Sequence, residues 1–183
     1  MYTRLQQLAH ALNRIAELTG RIVSWLTLAM VLITFAVVLL RYVFETGSIA
    51  MQESVTYLHA VVFMLCAAYT LKHDAHVRVD IFYQRWSERT RAWVDLIGAL
   101  LLLMPVCVFI FVSSLDYVAM SWSIQEGSQE AGGLDGVYLL KAVIPLMAAL
   151  LLLQGCAQAL QSLLIIAGRT AATEPDSGVD TEL

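Results

Sequence analysis

The chain has 183 residues and a formal net charge of −4, and it is 59% hydrophobic with only 14% charged residues. Its apolar residues come in long unbroken blocks, which excludes an ordinary soluble domain and the alternating strands of a membrane β-barrel. Cys66, Cys107 and Cys156 fall in three different blocks with no C-x-x-C pair, so they read as small apolar fillers and not as a disulfide framework or redox pair.

Residues 1–21 make a polar start of helical pattern, with Leu5, Leu8, Leu12 and Ile15 recurring at three- and four-residue steps. That suits a helix on the inner membrane surface or a cytoplasmic extension of the first span. Ile22–Leu40 is 19 residues without a charge. At 1.5 Å per residue, roughly 20 residues cross the ~30 Å hydrocarbon core, so a first span is expected over about 22–42. The block is too long for a signal-peptide core, although Ser48 and Ala50 imitate a cleavage site. A hairpin turns at Thr46-Gly47-Ser48. The second span, about 52–71, is uncharged after Glu53 apart from the titratable His59.

The connection Lys72–Arg91 has no proline or glycine. Helical spacing puts Val79, Phe82, Trp86 and Trp93 on one face and Arg78, Arg85 and Arg89 in a row beside it, with Asp80 and Glu88 pointing away. An interfacial helix over about 79–91 is predicted, with aromatics in the membrane and arginines among lipid headgroups. A third span follows over about 94–116, then the segment Asp116–Gly136, which is acidic and has no Lys or Arg. The fourth span runs over about 138–166, and residues 169–183 read as a disordered acidic tail. Pro105 and Pro145 should kink the third and fourth spans.

The expected fold class is therefore an all-α membrane protein, a single four-helix domain over 1–168. Positive charge marks the cytoplasmic side. Arg4, Arg14 and Arg21 precede span one, and Lys72, Arg78, Arg85, Arg89 and Arg91 follow span two, so both termini are expected inside.

Polar residues at the span ends and within the spans are the candidate contacts. Arg41 is expected to pair with Glu53 across the first hairpin, and Lys141 with Asp116. Gln154, Gln158 and Gln161, beside Gly155 and Ala159, form a face suited to another helix. Gln52, Thr56 and His59 make a similar stripe on span two, where His59 reads as a packed, hydrogen-bonded neutral ring. His73, Asp74, His76 and Asp80 fit no strong metal motif. The chain has no phosphate loop and no Ser-His-Asp or H-E-x-x-H arrangement. Neither a cofactor nor a nucleic-acid partner is expected, and the chain does not read as an enzyme.

Several short motifs in order carry a family likeness. They are Arg41-Tyr42, Met51-Gln52-Glu53, Tyr69 to Asp74 and His76-Val77-Arg78-Val79-Asp80. Gln125 to Ser128, Gly132-Gly133-Leu134, Val137 to Lys141 with Pro145, and Gln154-Gly155 follow. With these the chain resembles the small membrane subunit (DctQ-like) of tripartite ATP-independent periplasmic (TRAP) transporters, nearest the branch labelled mannitol/chloroaromatic. It departs in having Asp135 where proline is frequent and Met51 where tryptophan is frequent.

The resemblance implies a non-catalytic subunit in the bacterial inner membrane. It implies a large multi-span permease subunit as partner, which holds the sodium and substrate sites. It also implies a periplasmic substrate-binding protein that delivers an organic acid, and membrane lipids around both subunits. Arg41, Glu53, His76, Arg78, Asp80, Trp86, Lys141, Gln154 and Gln158 are then the candidate structural and partner-contact residues. A four-helix haem-anchor subunit of a membrane oxidoreductase is the alternative, motivated by His59. A disulfide-exchange enzyme is disfavoured by the absence of C-x-x-C.

Overall fold

A computed structural model describes residues 2–76 and 83–168. Four of its helical stretches are long and apolar enough to cross a membrane: Arg4–Tyr42, Ile49–Lys72, Glu88–Ser123 and Val137–Ile166. The first is the helix α1, Tyr2–Tyr42. The second is divided into α2, Ile49–Leu65, and α3, Ala67–Lys72. The third comprises α4, Glu88–Gly98, a π-helical turn at Ala99–Leu103, and α5, Met104–Ser123. The fourth is α6, Val137–Ile166.

Helix α1 has 41 residues without a break. At 1.5 Å per residue that is about 60 Å, roughly twice the hydrocarbon thickness. The polar residues 2–21 thus continue the first span as one helix and do not form a separate helix lying across it. The π turn lies just ahead of Pro105, which lacks the N–H needed for a bond back to Leu101 and crowds that carbonyl. Helix α6, by contrast, runs unbroken through Pro145. The α2–α3 division falls at Cys66, whose carbonyl also accepts from the Thr70 hydroxyl at 3.0 Å.

The predicted single helix over 79–91 differs from what is seen. Residues 79–82 lie outside the described residues, and 84–87 run as turn and bend before a fresh helix begins. Ser87 caps that helix, its Oγ accepting from Thr90 N at 3.3 Å. Arg91 turns back to donate to the carbonyls of Trp86 and Gln84, both at 3.0 Å, and its guanidinium lies over the Tyr83 ring. The turn at 84–87 is held by Arg91 and by the Tyr83 hydroxyl, which donates to Asp95 Oδ2 at 2.6 Å. The acidic tail, residues 169–183, also lies outside the described residues.

Helix α6 is the hub. It packs against α1, α2, α3, α4 and α5, while the third span packs mainly on α6 and α1 pairs with α2. Buried positions are mostly small: Ala9 and Ala16 on α1, Cys107, Ser114 and Ser121 on α5, and Ala148, Gly155, Ala157, Ala159 and Ser162 on α6. In lipid there is no hydrophobic drive between helices, so close backbone approach through small side chains is what holds a bundle together. The seven-residue spacing of Ala9, Ala16 and Val23, and of Cys107, Ser114 and Ser121, is that of a left-handed helix seam. Gly155 illustrates the fit, since a Cβ there would lie 2.9 Å from the Leu103 side chain that the π turn presents.

Candidate functional site

The polar residues gather into two clasps, one at each end of the bundle. At the end bearing the termini, the centre is Glu17, one turn before the uncharged run of the first span. Its carboxylate accepts from Lys72 Nζ at 2.5 Å, from Arg21 at 3.0 Å, and lies 2.9 Å from His73 Nε2. The Lys72 ammonium first, then His73 and Arg21, hold the Glu17 carboxyl well below its ordinary range, at about 2. Tyr69 packs on the His73 ring at 4.4 Å between centroids and also fills the space beside Gly20. One turn toward the start of α1 from Glu17, Asn13 Oδ1 accepts from Gln154 Nε2 at 3.0 Å, tying α6 to α1. Beside these lies a polar pocket lined by Lys72, Asp74, Asp95, Gln154, Gln158 and Gln161.

The opposite clasp organises the long loop between α5 and α6. Glu53, at the start of α2, accepts from the Ser128 hydroxyl and from Leu134 N at 2.7 Å. Gly133 has to be glycine, because a Cβ would meet the Ser128 side chain and Glu53 Oε2. Gly132 supplies the left-handed turn at φ 80°. Across the same loop, Lys141 Nζ sits 2.5 Å from Glu126 Oε2 and 4.1 Å from the Tyr117 ring centroid. The Lys141 ammonium holds the Glu126 carboxyl below its ordinary range. Trp122 and Tyr138 meet edge to face at 4.9 Å and close the base of the loop.

These contacts correct two expected pairs. Glu53 is engaged by the loop and not by Arg41, and Lys141 bonds Glu126 and not Asp116; among the described residues no ion pair joins either expected couple. The Glu53 carboxylate is instead taken up by Leu134 N and the Ser128 hydroxyl. Arg41 is exposed. Within the glutamine face, Gln154 is 3% exposed and bonds another helix, α1 of the same chain. Gln158 lines the polar pocket.

His59 is not packed. It is exposed on α2 with Gln52 and Thr56, and its ring stacks with that of Phe63, centroids 6.4 Å apart. His76 is exposed, Trp86 is 41% exposed, and Arg78 and Asp80 lie outside the described residues. Glu17 and Asn13 were not among the expected site residues. The available signal was that Glu17 is the only acidic residue before Glu45, set among Arg4, Arg14 and Arg21.

Among the described residues no cluster of His, Cys, Asp or Glu is arranged to hold a metal ion. What the arrangement does is mechanical: Lys72 and His73 at the end of α3 are bonded to α1, and the loop between α5 and α6 is bonded to α2. The molecule is a multi-pass helical membrane protein whose polar groups fix helix positions. Residues 30–164, more than half the chain, match the family described as tripartite ATP-independent periplasmic transporters, DctQ component, and the chain belongs to that family. Comparison with curated proteins and with solved structures gave no match.

Proposed function

We propose that the chain is the non-catalytic small membrane subunit of a sodium-coupled, binding-protein-dependent secondary transporter. That transporter imports an organic acid across the bacterial inner membrane. The subunit braces a large multi-span permease subunit, and the order of its short motifs puts it nearest the mannitol/chloroaromatic-labelled branch. The observation that carries this reading is the family membership over residues 30–164, on a bundle tied together at both ends.

In this reading the end bearing the termini faces the cytoplasm, with Arg4, Arg14, Arg21, Lys72, Arg85, Arg89 and Arg91 on that side. His76, Arg78, Asp80 and Trp86 fit the subunit to its partner and to the headgroup layer. The loop held by Glu53 and Lys141 faces the periplasm. Its acidic residues Glu130 and Asp135 meet the substrate-binding protein, and Arg41 lies at the same boundary. Gln154 and Gln158 keep the bundle in the shape the partner requires.

Affinity purification from native membranes in mild detergent tests the reading. A protein with many spans should co-purify, and deletion of the small subunit should abolish sodium-dependent organic-acid uptake. Repeated recovery of the chain alone, with uptake intact in the deletion strain, would overturn it.

A further inference from the structure

Polar side chains inside the long helices fall into distinct groups by what they bond. Ser24, Thr34, Thr70, Ser113 and Ser114 donate back to a carbonyl three or four residues earlier in their own helix. Gln154 bonds a neighbouring helix. Gln52, Thr56 and His59 do neither: all three are exposed, and among the described residues their side chains make no hydrogen bond. At 100° per residue they fall within an arc of about 60°, and Phe63 continues the same line. Phe63 is 73% exposed and stacks on His59 with the rings 20° apart.

Depth makes this stripe costly. The helical stretch Ile49–Lys72 has 24 residues. His59 lies ten residues from its start, about 15 Å along the axis, near the middle of the ~30 Å hydrocarbon core. An imidazole facing lipid at that depth has nothing to bond, so it faces protein or a polar cavity, while Gln52, one residue before Glu53, extends the same line toward the end of the bundle. The outward face of the third span shows what a lipid-facing surface of this molecule looks like. Leu101, Leu102, Phe109 and Val112 are between 60% and 71% exposed, and none is polar.

Beside the stripe runs an open groove between α1 and α2. Thr34, Val37, Gln52 and Val55 line one part, and Met30, Val31 and Phe35 continue it. A groove of apolar walls flanked by unsatisfied polar groups has the shape and chemistry to take a helix.

We propose that the face formed by Gln52, Thr56, His59 and Phe63, with the adjoining α1–α2 groove, seats a transmembrane helix of the large partner subunit. That helix presents a hydrogen-bonding side chain opposite His59. The inference rests on the transporter-subunit reading and adds which surface of the bundle meets the partner. A bilayer leaves the stripe unsatisfied. The family match describes a component of a larger transporter, which favours a different subunit over a second copy of this chain.

The test places a photo-crosslinking phenylalanine analogue at Thr56 or Phe63, and as control at Leu101 or Phe109, in native membranes holding the whole complex. Positions 56 and 63 should give adducts with a multi-span protein, and positions 101 and 109 should give none. His59→Leu should lower recovery of that partner roughly tenfold, the scale of one lost intramembrane hydrogen bond. Its own yield and melting temperature should stay at wild-type values, and His59→Gln should recover most of the binding.

Adducts joining two copies of this chain would overturn the proposal. So would adducts arising equally from Phe109, or full partner recovery with His59→Leu. If the partner co-purifies but cross-links only through the third span, the assigned face is wrong while the transporter-subunit reading stands. If no multi-span protein is recovered with the wild type, both fall.

Discussion

Replacing Gly20 by alanine sets two effects of opposite sign against each other. Alanine is favoured over glycine in a helix interior by about 1 kcal/mol. At Gly20, however, the added methyl would lie 2.6 Å from Tyr69 Cβ and as close to the ring base, where real carbons do not approach. The obstacle is the part of Tyr69 fixed to the α3 backbone, so a rotamer change does not remove it, and α1 and α3 have to separate. Overpacking of this kind costs about 1–3 kcal/mol, with this site toward the upper end, leaving a net loss of about 1–2 kcal/mol. For a chain of this size that is roughly 2–8 °C in melting temperature.

Gly98→Ala is the matched control, because a Cβ there meets nothing within 4 Å. It should be neutral or stabilising by up to about 1 kcal/mol. Both variants and the wild type are melted in the same detergent at one scan rate, followed by tryptophan fluorescence. Adding Tyr69→Ala should remove only the part of the Gly20→Ala penalty that the ring causes, because Cβ of residue 69 stays 2.6 Å from the added methyl. A Gly20→Ala melting temperature equal to or above that of Gly98→Ala would refute the close α1–α3 packing.

Two further outcomes follow from the same contacts. Glu17→Gln should lower stability at neutral pH by about 1 kcal/mol, the strength of partly exposed ion pairs. The Glu17 carboxyl is depressed from 4.5 to about 2 in the folded chain, so its contribution is complete above pH 4.5 and lost as pH falls toward 2. The gap in melting temperature between wild type and variant should therefore narrow as pH falls from 4.5 toward 2, and a gap that stays open there contradicts the clasp. Asn13→Ala leaves the buried Gln154 amide with no partner at either end, since its Oε1 already lacks one, and should cost about 1–3 kcal/mol. Asn13→Leu with Gln154→Leu should come back close to wild-type stability in the same melts, because no polar group is then stranded.

The four long helices are legible in the sequence because crossing lipid demands an uninterrupted apolar run, and Ile22–Leu40 or Leu96–Leu115 shows that without any knowledge of neighbours. The rotation of each helix about its axis is not legible in the same way. A soluble helix announces its buried side by contrast with a polar one, whereas α6 is apolar all round and chooses its inward face by side-chain size. That is why the glutamine line on α6 and the Gln52–Thr56–His59 line on α2 look alike in sequence, although the first is turned inward on Asn13 and the second outward.

Glu17 escaped notice because its partners Lys72 and His73 are 55 and 56 residues away. Their meeting depends on α1 running straight past the membrane boundary, which hydropathy does not encode. The Glu53 loop contacts were half visible: the glutamate and the Gly132-Gly133-Leu134 segment both stood out as motifs. Only the fold shows that one is built to receive the other.

The placement of α6 at the hub has a consequence for how the protein is made. This helix leaves the ribosome after the other three long stretches, yet it is the surface on which α1, α2, α3 and the third span pack. Before it inserts, α1 and α2 can pair, but the third span waits in the bilayer without its main protein neighbour, and Gln154 has not reached Asn13. Assembly is therefore concentrated in one late step. A chain truncated before Val137 should insert its first three spans and be cleared by membrane proteases, whereas a separately expressed fourth span should be able to rescue it.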